Sequence, residues 1–96
     1  MDLVVAYDIA TVSTKDERRL RRVAKICEGY GVRIQDSVFE CRLSHAGFEQ
    51  LVIDLDDAIE PDRDSICVYR IVAGLKDARL TLGKRYDHQF GTPWLL

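Results

Sequence analysis

Apolar residues along this chain follow two periods, that of a strand and that of a helix. The first block, residues 3–7, is continuously apolar and lies between Asp2 and Asp8. Such a run is typical of a central strand whose two faces are both covered, because an edge strand with one wet face alternates between apolar and polar residues. The chain is therefore expected to begin with a buried strand.

A helix is predicted next. Thr14 and Glu17 have the spacing of a capping box, so the helix is expected to start near Thr14. Gly29 and Gly31 follow the last periodic position and predict its end. The apolar residues that recur at helical intervals are Leu20, Val23, Ala24, Cys27 and Tyr30.

Two short alternating segments come after this helix, at residues 32–35 and 38–43. Alternation of apolar and polar positions predicts strands. Between the two segments, Asp36 and Ser37 have the length of a two-residue hairpin loop, although neither is the glycine that such loops favour. We expect an antiparallel pair.

A second helix and a fourth strand complete the regular pattern. Ser44 is a suitable helix cap, and Pro61 follows the predicted end of the helix. Residues 65–72 are apolar at nearly every position and predict a strand. The apolar face of the second helix consists of Phe48, Leu51, Val52, Leu55 and Ile59.

The order strand, helix, strand, strand, helix, strand predicts a ferredoxin-like βαββαβ arrangement, an α+β fold with an antiparallel sheet and both helices on one face. We expect residues 1–96 to form a single domain, with a core of residues 1–73 and a C-terminal segment, residues 74–96, that adds a tail strand. The first and fourth strands carry apolar residues of both parities, so the second sheet face also needs a cover. A second copy of the chain, helped by the tail, is the simplest one, which predicts a homodimer.

Composition narrows the class of protein. The chain has 96 residues, of which 47% are hydrophobic and 31% charged, as in ordinary soluble domains. No apolar run has the length of a membrane span, and the N-terminus lacks the pattern of a signal peptide, so we expect a cytoplasmic protein without a membrane partner. Cys27, Cys41 and Cys67 are spaced too widely for a zinc site and are interpreted as buried small hydrophobes in a reducing compartment.

The charges are distributed unevenly although the net charge is only −2. Residues 15–33 contain seven basic and three acidic side chains, whereas residues 54–64 contain six acids and one arginine. A molecule with one basic surface can bind a polyanion there whatever its net charge. The sequence therefore favours nucleic acid as a partner. The basic residues expected to bind it are Arg18, Arg19, Arg21, Arg22 and Lys25.

Two motifs at this spacing resemble one family. Tyr7-Asp8-Ile9 ends the first strand, an arginine-rich helix follows, and residues 33–40 read Arg-Ile-Gln-Asp-Ser-Val-Phe-Glu just beyond a glycine. This combination is similar to the Cas2 family of CRISPR-associated proteins. The resemblance implies a dimeric ferredoxin-like protein, a metal-dependent endonuclease on RNA or DNA that also bridges subunits of the CRISPR integrase, Cas1.

The resemblance also implies site residues. Asp8 corresponds to the catalytic and metal-binding aspartate, one from each protomer across the dimer axis, with Mg²⁺ or another divalent cation such as Mn²⁺. Tyr7, Arg33, Ser37 and Phe39 correspond to supporting positions, together with Arg19 or Arg22 of the first helix. Family members often have acidic residues directly after the Asp-Ile pair, whereas residues 10–15 here contain none. A second acidic ligand from this loop is therefore not expected.

Structural alternatives stay open for each of these residues. Asp8 can instead form a turn or cap a helix, and the arginine run can be a solvated helix face. Tyr7 shares parity with Leu3 and Val5, which indicates a core aromatic. Phe39 is expected to pack as well, in the core or at the dimer interface. Ser37 in a turn can bind backbone groups as readily as phosphate.

Two main functions follow from these observations. In the first, paired Asp8 residues hold a metal that activates water for phosphodiester cleavage while arginines hold the strand. In the second, the dimer is a non-catalytic scaffold that spaces two integrase subunits and holds the captured duplex. A more distant alternative is a toxin-like messenger-RNA nuclease of similar fold. The lack of a second acid or a general base near Asp8 favours the scaffold as the essential role.

Overall fold

The computed structural model describes residues 1–83 of the chain. Within these residues, four strands form one antiparallel sheet in the order β2-β3-β1-β4. The predicted ferredoxin-like α+β arrangement is confirmed. The elements are β1 (Asp2–Asp8), α1 (Thr14–Tyr30), β2 (Gly31–Gln35), β3 (Val38–Arg42), α2 (His45–Ala58), β4 (Ser65–Arg70) and a short helix α3 (Leu75–Ala78). Residues 84–96, which hold most of the predicted tail strand, lie outside the described residues, and the part of the tail that is described contains α3 instead of a strand.

The core lies between the two long helices and one face of the sheet. Leu3, Val5 and Tyr7 of β1 point to this side, because alternate residues of a strand share a face. Phe39 and Cys41 of β3 lie opposite Val5 and Leu3 and are fully buried there. The helices contribute Val23, Ala24, Cys27, Leu51, Leu55 and Ala58. Both helices therefore cover the same sheet face, as predicted.

Helix α1 starts at Thr14, as predicted, but its cap lies one residue before the predicted one. Ser13 is the cap: its hydroxyl accepts the backbone N–H of Asp16 at 3.1 Å, and Asp16 Oδ2 accepts the N–H of Ser13 at 3.2 Å. The predicted capping box of Thr14 and Glu17 is wrong, because Thr14 is already helical whereas Ser13 has the extended backbone that a cap requires.

The end of α1 is fixed by a close approach of the next strands. The helix ends at Tyr30, and Gly31 begins β2. A Cβ atom at Gly31 would lie 2.2 Å from the carbonyl oxygen of Glu40 and 2.6 Å from Cys41 Sγ, so a larger residue there would push β2 away from β3. The predicted end of the helix is confirmed, and the close packing of Gly31 against β3 explains it.

The other sheet face, called the open face below, lies away from α1 and α2, which pack on the core face. It carries Val4, Ala6 and Asp8 from β1, Val38 and Glu40 from β3, and Cys67 and Tyr69 from β4. The segment after β4 covers one end of it. There the N–H of Leu75 donates to Asp2 Oδ2 at 2.8 Å, and Arg79 pairs with Glu40 at 2.6 Å.

The cysteines divide between the two faces. Cys27 and Cys41 are buried in the core, and burial raises the pKa of these thiols to about 12 and about 11. They act as small hydrophobes, as predicted. The same prediction for Cys67 is wrong, because Cys67 lies opposite Ala6 on the open face and is exposed.

In residues 1–83, no helix is both long and apolar enough for a membrane span.

Candidate metal and nucleic-acid site

Asp8 is the last residue of β1 and belongs to the open face. Its neighbour across the sheet is Ser65, at the start of β4. The carboxylate is exposed, and it makes no hydrogen bond or ion pair with any residue between 1 and 83. The alternative that Asp8 caps α1 is wrong, since Ser13 does so. An exposed carboxylate with free lone pairs is available to a hard cation such as Mg²⁺.

One chain alone offers few ligands around Asp8. Among the described residues, no three His, Cys, Asp or Glu side chains converge as a metal-binding group. Magnesium needs only one or two carboxylates when waters and substrate phosphates complete its shell. The donor chemistry of Asp8 therefore fits a magnesium or manganese ion only in a shared arrangement, with a second copy of Asp8 or with bound phosphate.

The residues that flank Asp8 are held by aromatic packing. The rings of Tyr7 and Phe39 stack with centroids 6.1 Å apart, and the Arg33 guanidinium lies 5.1 Å from the Phe39 centroid. Phe39 is fully buried on the helix-facing side of the sheet, which agrees with the predicted packing in the core. Arg33 also pairs with Glu28 at 3.4 Å.

Tyr7 ties the hairpin between β2 and β3 to the end of β1. Its hydroxyl donates to the carbonyl oxygen of Asp36 at 3.2 Å, and its N–H donates to the carbonyl oxygen of Ser37 at 3.1 Å. Burial raises the pKa of the Tyr7 phenol, so it stays a neutral donor. The predicted core position of Tyr7 is confirmed, and it brings the predicted residue Ser37 next to Asp8.

A groove of about 450 Å³ lies beside Asp8. The end of β1, the exposed edge of α1 and the β2–β3 hairpin enclose it. Its lining residues are Tyr7, Asp8, Ile9, Thr11, Leu20, Arg21, Ala24, Arg33, Asp36 and Ser37. Of the residues that the resemblance assigned to the site, Tyr7, Asp8, Arg33 and Ser37 line this one groove, whereas Phe39, Arg19 and Arg22 do not.

Four of the five predicted basic residues form a stripe on α1. Arg18, Arg21, Arg22 and Lys25 are exposed, and their spacing of three and four residues places them on adjoining turns. We call these four residues the basic stripe. Arg22 pairs with Asp57 of α2 at 3.0 Å, and both side chains are exposed. Arg21 belongs to the stripe and also lines the groove.

Arg19 does not belong to this surface. Its side chain is only 9% exposed, and it lies in a network with Asp16 at 2.8 Å and Asp64 at 2.6 Å. Arg63 closes the network by pairing with Asp16 at 2.6 Å. We call these four residues the buried network. The expectation that Arg19 binds phosphate is not supported, because its donors are already engaged by carboxylates.

The buried network holds the loop next to Asp8. The N–H of Ala10 donates to Asp64 Oδ1 at 3.1 Å, and the N–H of Val12 donates to Asp16 Oδ2 at 3.0 Å. Hydrogen bonds from Arg63, Val12 and Arg19 hold the pKa of the Asp16 carboxyl far below its usual range. Those from Arg19 lower the pKa of Asp64 to about 2, so both carboxylates are ionised at neutral pH.

Sequence reasoning missed this network. The spacing of Asp16 and Arg19, three residues apart on a helix, was the only local signal. Asp64 and Arg63 precede β4 and are distant in the sequence, so their part in positioning the loop emerges only in the folded chain.

Comparison with known proteins agrees with the fold. Residues 1–77 match the protein family described as CRISPR associated protein Cas2. The chain belongs to the Cas2 family. This confirms the resemblance seen in the Tyr7-Asp8-Ile9 triplet and in the stretch after Gly31.

Several Cas2 relatives cover most or all of the chain. A Moorella thermoacetica protein named CRISPR-associated endoribonuclease Cas2 1 is 35% identical over 96 residues, the full length of both chains. A Halalkalibacterium halodurans protein named CRISPR-associated endonuclease Cas2 is 39% identical over 71 residues, 74% of each chain. The crystal structure of Streptococcus pyogenes Cas2 at pH 6.5 superposes with a TM-score of 0.77 at 38% identity, covering 86% of this chain and 100% of the other.

Proposed function

We propose that this Cas2 protein is a homodimeric, metal-dependent endonuclease of CRISPR adaptation that binds nucleic acid and works with the integrase subunit Cas1. The observation that carries the proposal is the position of Asp8, an exposed carboxylate without a partner in residues 1–83, between the open face and a groove edged by Arg21 and Arg33. The names of the relatives, endoribonuclease and endonuclease, support a hydrolytic role.

The open face supports the homodimer. Tyr69 is 55% exposed and lies on this face beside the exposed Cys67 and the partly exposed Val4. An apolar sheet face that the two long helices leave uncovered is typical of an interface. A two-fold axis through this face near the end of β1 would bring two copies of Asp8 together, which gives the carboxylate pair that one chain lacks.

The chain's own residues would then act on a bound strand in separate ways. The two Asp8 carboxylates would hold Mg²⁺ or Mn²⁺, which when bound supplies an activated water and neutralises charge on the scissile phosphate. Arg21 and Arg33 would hold the flanking phosphates, since guanidinium groups match phosphate oxygens bidentately. Tyr7 would keep the hairpin with Ser37 in place through its two contacts with that turn.

The rest of the basic stripe would hold the remaining length of nucleic acid. Arg18, Arg22 and Lys25 are exposed on the same helix as Arg21, and a dimer would present two such stripes. Because these contacts are to phosphates, they carry affinity without sequence preference. The stripe therefore suits a partner of variable sequence, such as captured DNA.

A second candidate function is a non-catalytic scaffold of the integrase complex. It is favoured by the sparse chemistry around Asp8, since no metal-binding group of three ligands forms within residues 1–83. In this role the basic stripe holds the duplex and the dimer sets the distance between integrase subunits. Asp8 would then be dispensable for insertion.

The test compares the wild type with Asp8→Asn, which removes the charge but keeps the shape. Asp56→Asn is the matched control, because Asp56 is another exposed carboxylate, on α2 and away from the groove. Cleavage of single-stranded RNA and of duplex DNA is measured with Mg²⁺ and with chelator, and the dimer is checked by light scattering. We expect Mg²⁺-dependent cleavage that Asp8→Asn lowers by about 100-fold or more and Asp56→Asn leaves unchanged.

Insertion of DNA by the integrase is measured on the same preparations. Cleavage by Asp8→Asn at the wild-type rate would contradict the metal site. Absence of cleavage in both proteins, with insertion intact in both, would establish the scaffold in place of the nuclease.

A further inference from the structure

The groove beside Asp8 has an apolar floor that phosphate binding does not require. Ile9 and Ala24 are almost fully buried beneath it, and the partly buried Leu20 completes the floor. Phosphates bind to charged and polar groups at a surface, whereas an apolar recess favours a flat, weakly hydrated group. The recess therefore suits a part of the bound nucleic acid other than its phosphate backbone.

Charges around the groove separate its rim from its interior. Arg21 and Arg33 are exposed at the rim, and Arg33 is held in position by Phe39 and Glu28. The carboxylates of Asp8 and Asp36 also line the groove. They would repel a phosphate that entered it, but they can accept hydrogen bonds from the N–H groups of a base.

The volume of the groove agrees with this separation of a charged rim from an interior site. Its volume of about 450 Å³ lies within the usual range of small-molecule sites, roughly 300–1,000 Å³. Arg21 links it to the basic stripe, so a backbone that follows the stripe passes the rim of the groove. The bases of a duplex are stacked and paired, so they stay inside the double helix. An unpaired base, in contrast, can turn into the recess.

We propose that the groove binds one unpaired base of the nucleic acid, between the apolar floor and the Arg21 and Arg33 guanidinium groups. The inference rests on the proposed nucleic-acid function and adds a base-binding subsite to it. Arginine planes and apolar side chains hold unpaired bases without reading their sequence. The subsite would place a single-stranded segment or a frayed end next to Asp8, whereas paired duplex stays on the basic stripe.

The test measures binding in chelator, so that neither metal nor cleavage contributes. Three probes are used: a short single strand, the same strand with abasic positions in its centre, and the duplex. Base contacts of this kind contribute affinity that the abasic strand loses, so we expect it to bind the wild type about 5-fold or more weakly than the intact strand. The chelator separates this comparison from the proposed metal chemistry, because no metal is bound when the strands are compared.

Thr11 and Val12 offer a matched pair of variants. Both are exposed in the same loop, but only Thr11 lines the groove. Thr11→Leu narrows the groove without adding an aromatic ring, so it should bind intact and abasic strands equally while duplex affinity changes less than 2-fold. Val12→Leu should behave as the wild type with all three probes.

Several results would overturn the inference. Equal binding of intact and abasic strands by the wild type would show that only the backbone is held. If Thr11→Leu preferred the intact strand over the abasic strand as strongly as the wild type does, the base contacts would lie elsewhere. The same conclusion would follow if Thr11→Leu and Val12→Leu lost this preference equally. Loss of cleavage or of insertion alone leaves the binding comparison intact, so failure of the proposed activity is distinguishable from failure of the groove.

Discussion

Arg19 Nε lies 2.6 Å from Asp64 Oδ2, and this contact joins the first helix to the residue that precedes β4. The two residues are 45 positions apart in the chain. Asp64 also accepts the N–H groups of Ala10 and Glu60, so one carboxylate organises the loops at both ends of the contact. The loop that follows Asp8 therefore owes its position to a charge pair outside the groove.

Removal of one partner of this buried pair should destabilise the protein. In Asp64→Ala the Arg19 guanidinium stays largely buried with part of its pairing lost, and the free energy of unfolding should fall by about 3 kcal/mol. Asp57→Ala is the control, because Asp57 pairs with Arg22 at an exposed site where ion pairs contribute little. Urea unfolding at one protomer concentration measures both. Equal effects of the two substitutions would contradict the assigned role of Asp64.

Stability should depend on pH through Glu40 of the open face. Burial raises the pKa of the Glu40 carboxyl from 4.5 to about 7, although Arg79 lies 2.6 Å away and acts in the opposite direction. A raised folded-state pKa means that the contribution of Glu40 is greatest below pH 4.5 and is lost as the pH rises through about 7. Glu40→Gln should remove this part of the pH dependence.

The measurement is the difference in unfolding free energy between wild type and Glu40→Gln, taken at several pH values from 4 to 8. We expect the wild type to lose stability relative to the variant across this window. Asp77→Asn, at an exposed position of α3, serves as the control. A constant difference between wild type and Glu40→Gln would show that Glu40 titrates near its ordinary value.

The proposed dimer should depend on Tyr69. Tyr69→Glu places a charge on the open face and should convert the dimer to a monomer, because the charge would be buried without a partner. Ile53→Glu is the matched control, since Ile53 on α2 is 59% exposed and Tyr69 is 55% exposed. Light scattering gives the mass of each variant. A dimeric Tyr69→Glu, or a monomeric Ile53→Glu, would place the interface elsewhere.

The basic stripe should determine how salt affects duplex binding. Arg18→Gln removes one phosphate contact, so the slope of log affinity against log salt concentration should fall by about 1, equally for unrelated DNA sequences. Lys76→Gln on α3, an exposed cation outside the stripe, should leave the slope unchanged. Affinity is measured by fluorescence anisotropy across a salt series. An effect confined to one DNA sequence would indicate base readout instead of phosphate contact.

Local pattern predicted the elements well because each depends on neighbours in the sequence. The continuous apolar run of residues 3–7 located the central strand, and the helical spacing that ends at Tyr30 located α1. The cap was misplaced by one residue because Ser13 and Thr14 each have an acidic residue three positions later, and the fold selects Ser13. Asp16 is held by Arg63, which is 47 residues away, and no local propensity reports such a contact.

The candidate site was predicted in part. The motifs identified Asp8, Arg33 and Ser37, which line one groove, but they included Phe39, which packs beneath Arg33 in the core. They did not reveal Thr11, which also lines the groove. The groove forms where three elements meet, so the sequence pattern of any one element does not predict its walls.

The sequence by itself determined the order of strands and helices, the core faces of the helices and the basic character of α1, because the period of apolar and charged residues sets these locally. Only the tertiary structure decided which charges remain free. It engaged Arg19 with Asp64 and left Asp8 without a partner in residues 1–83, because the pairing of charges depends on which distant segments the fold brings within reach.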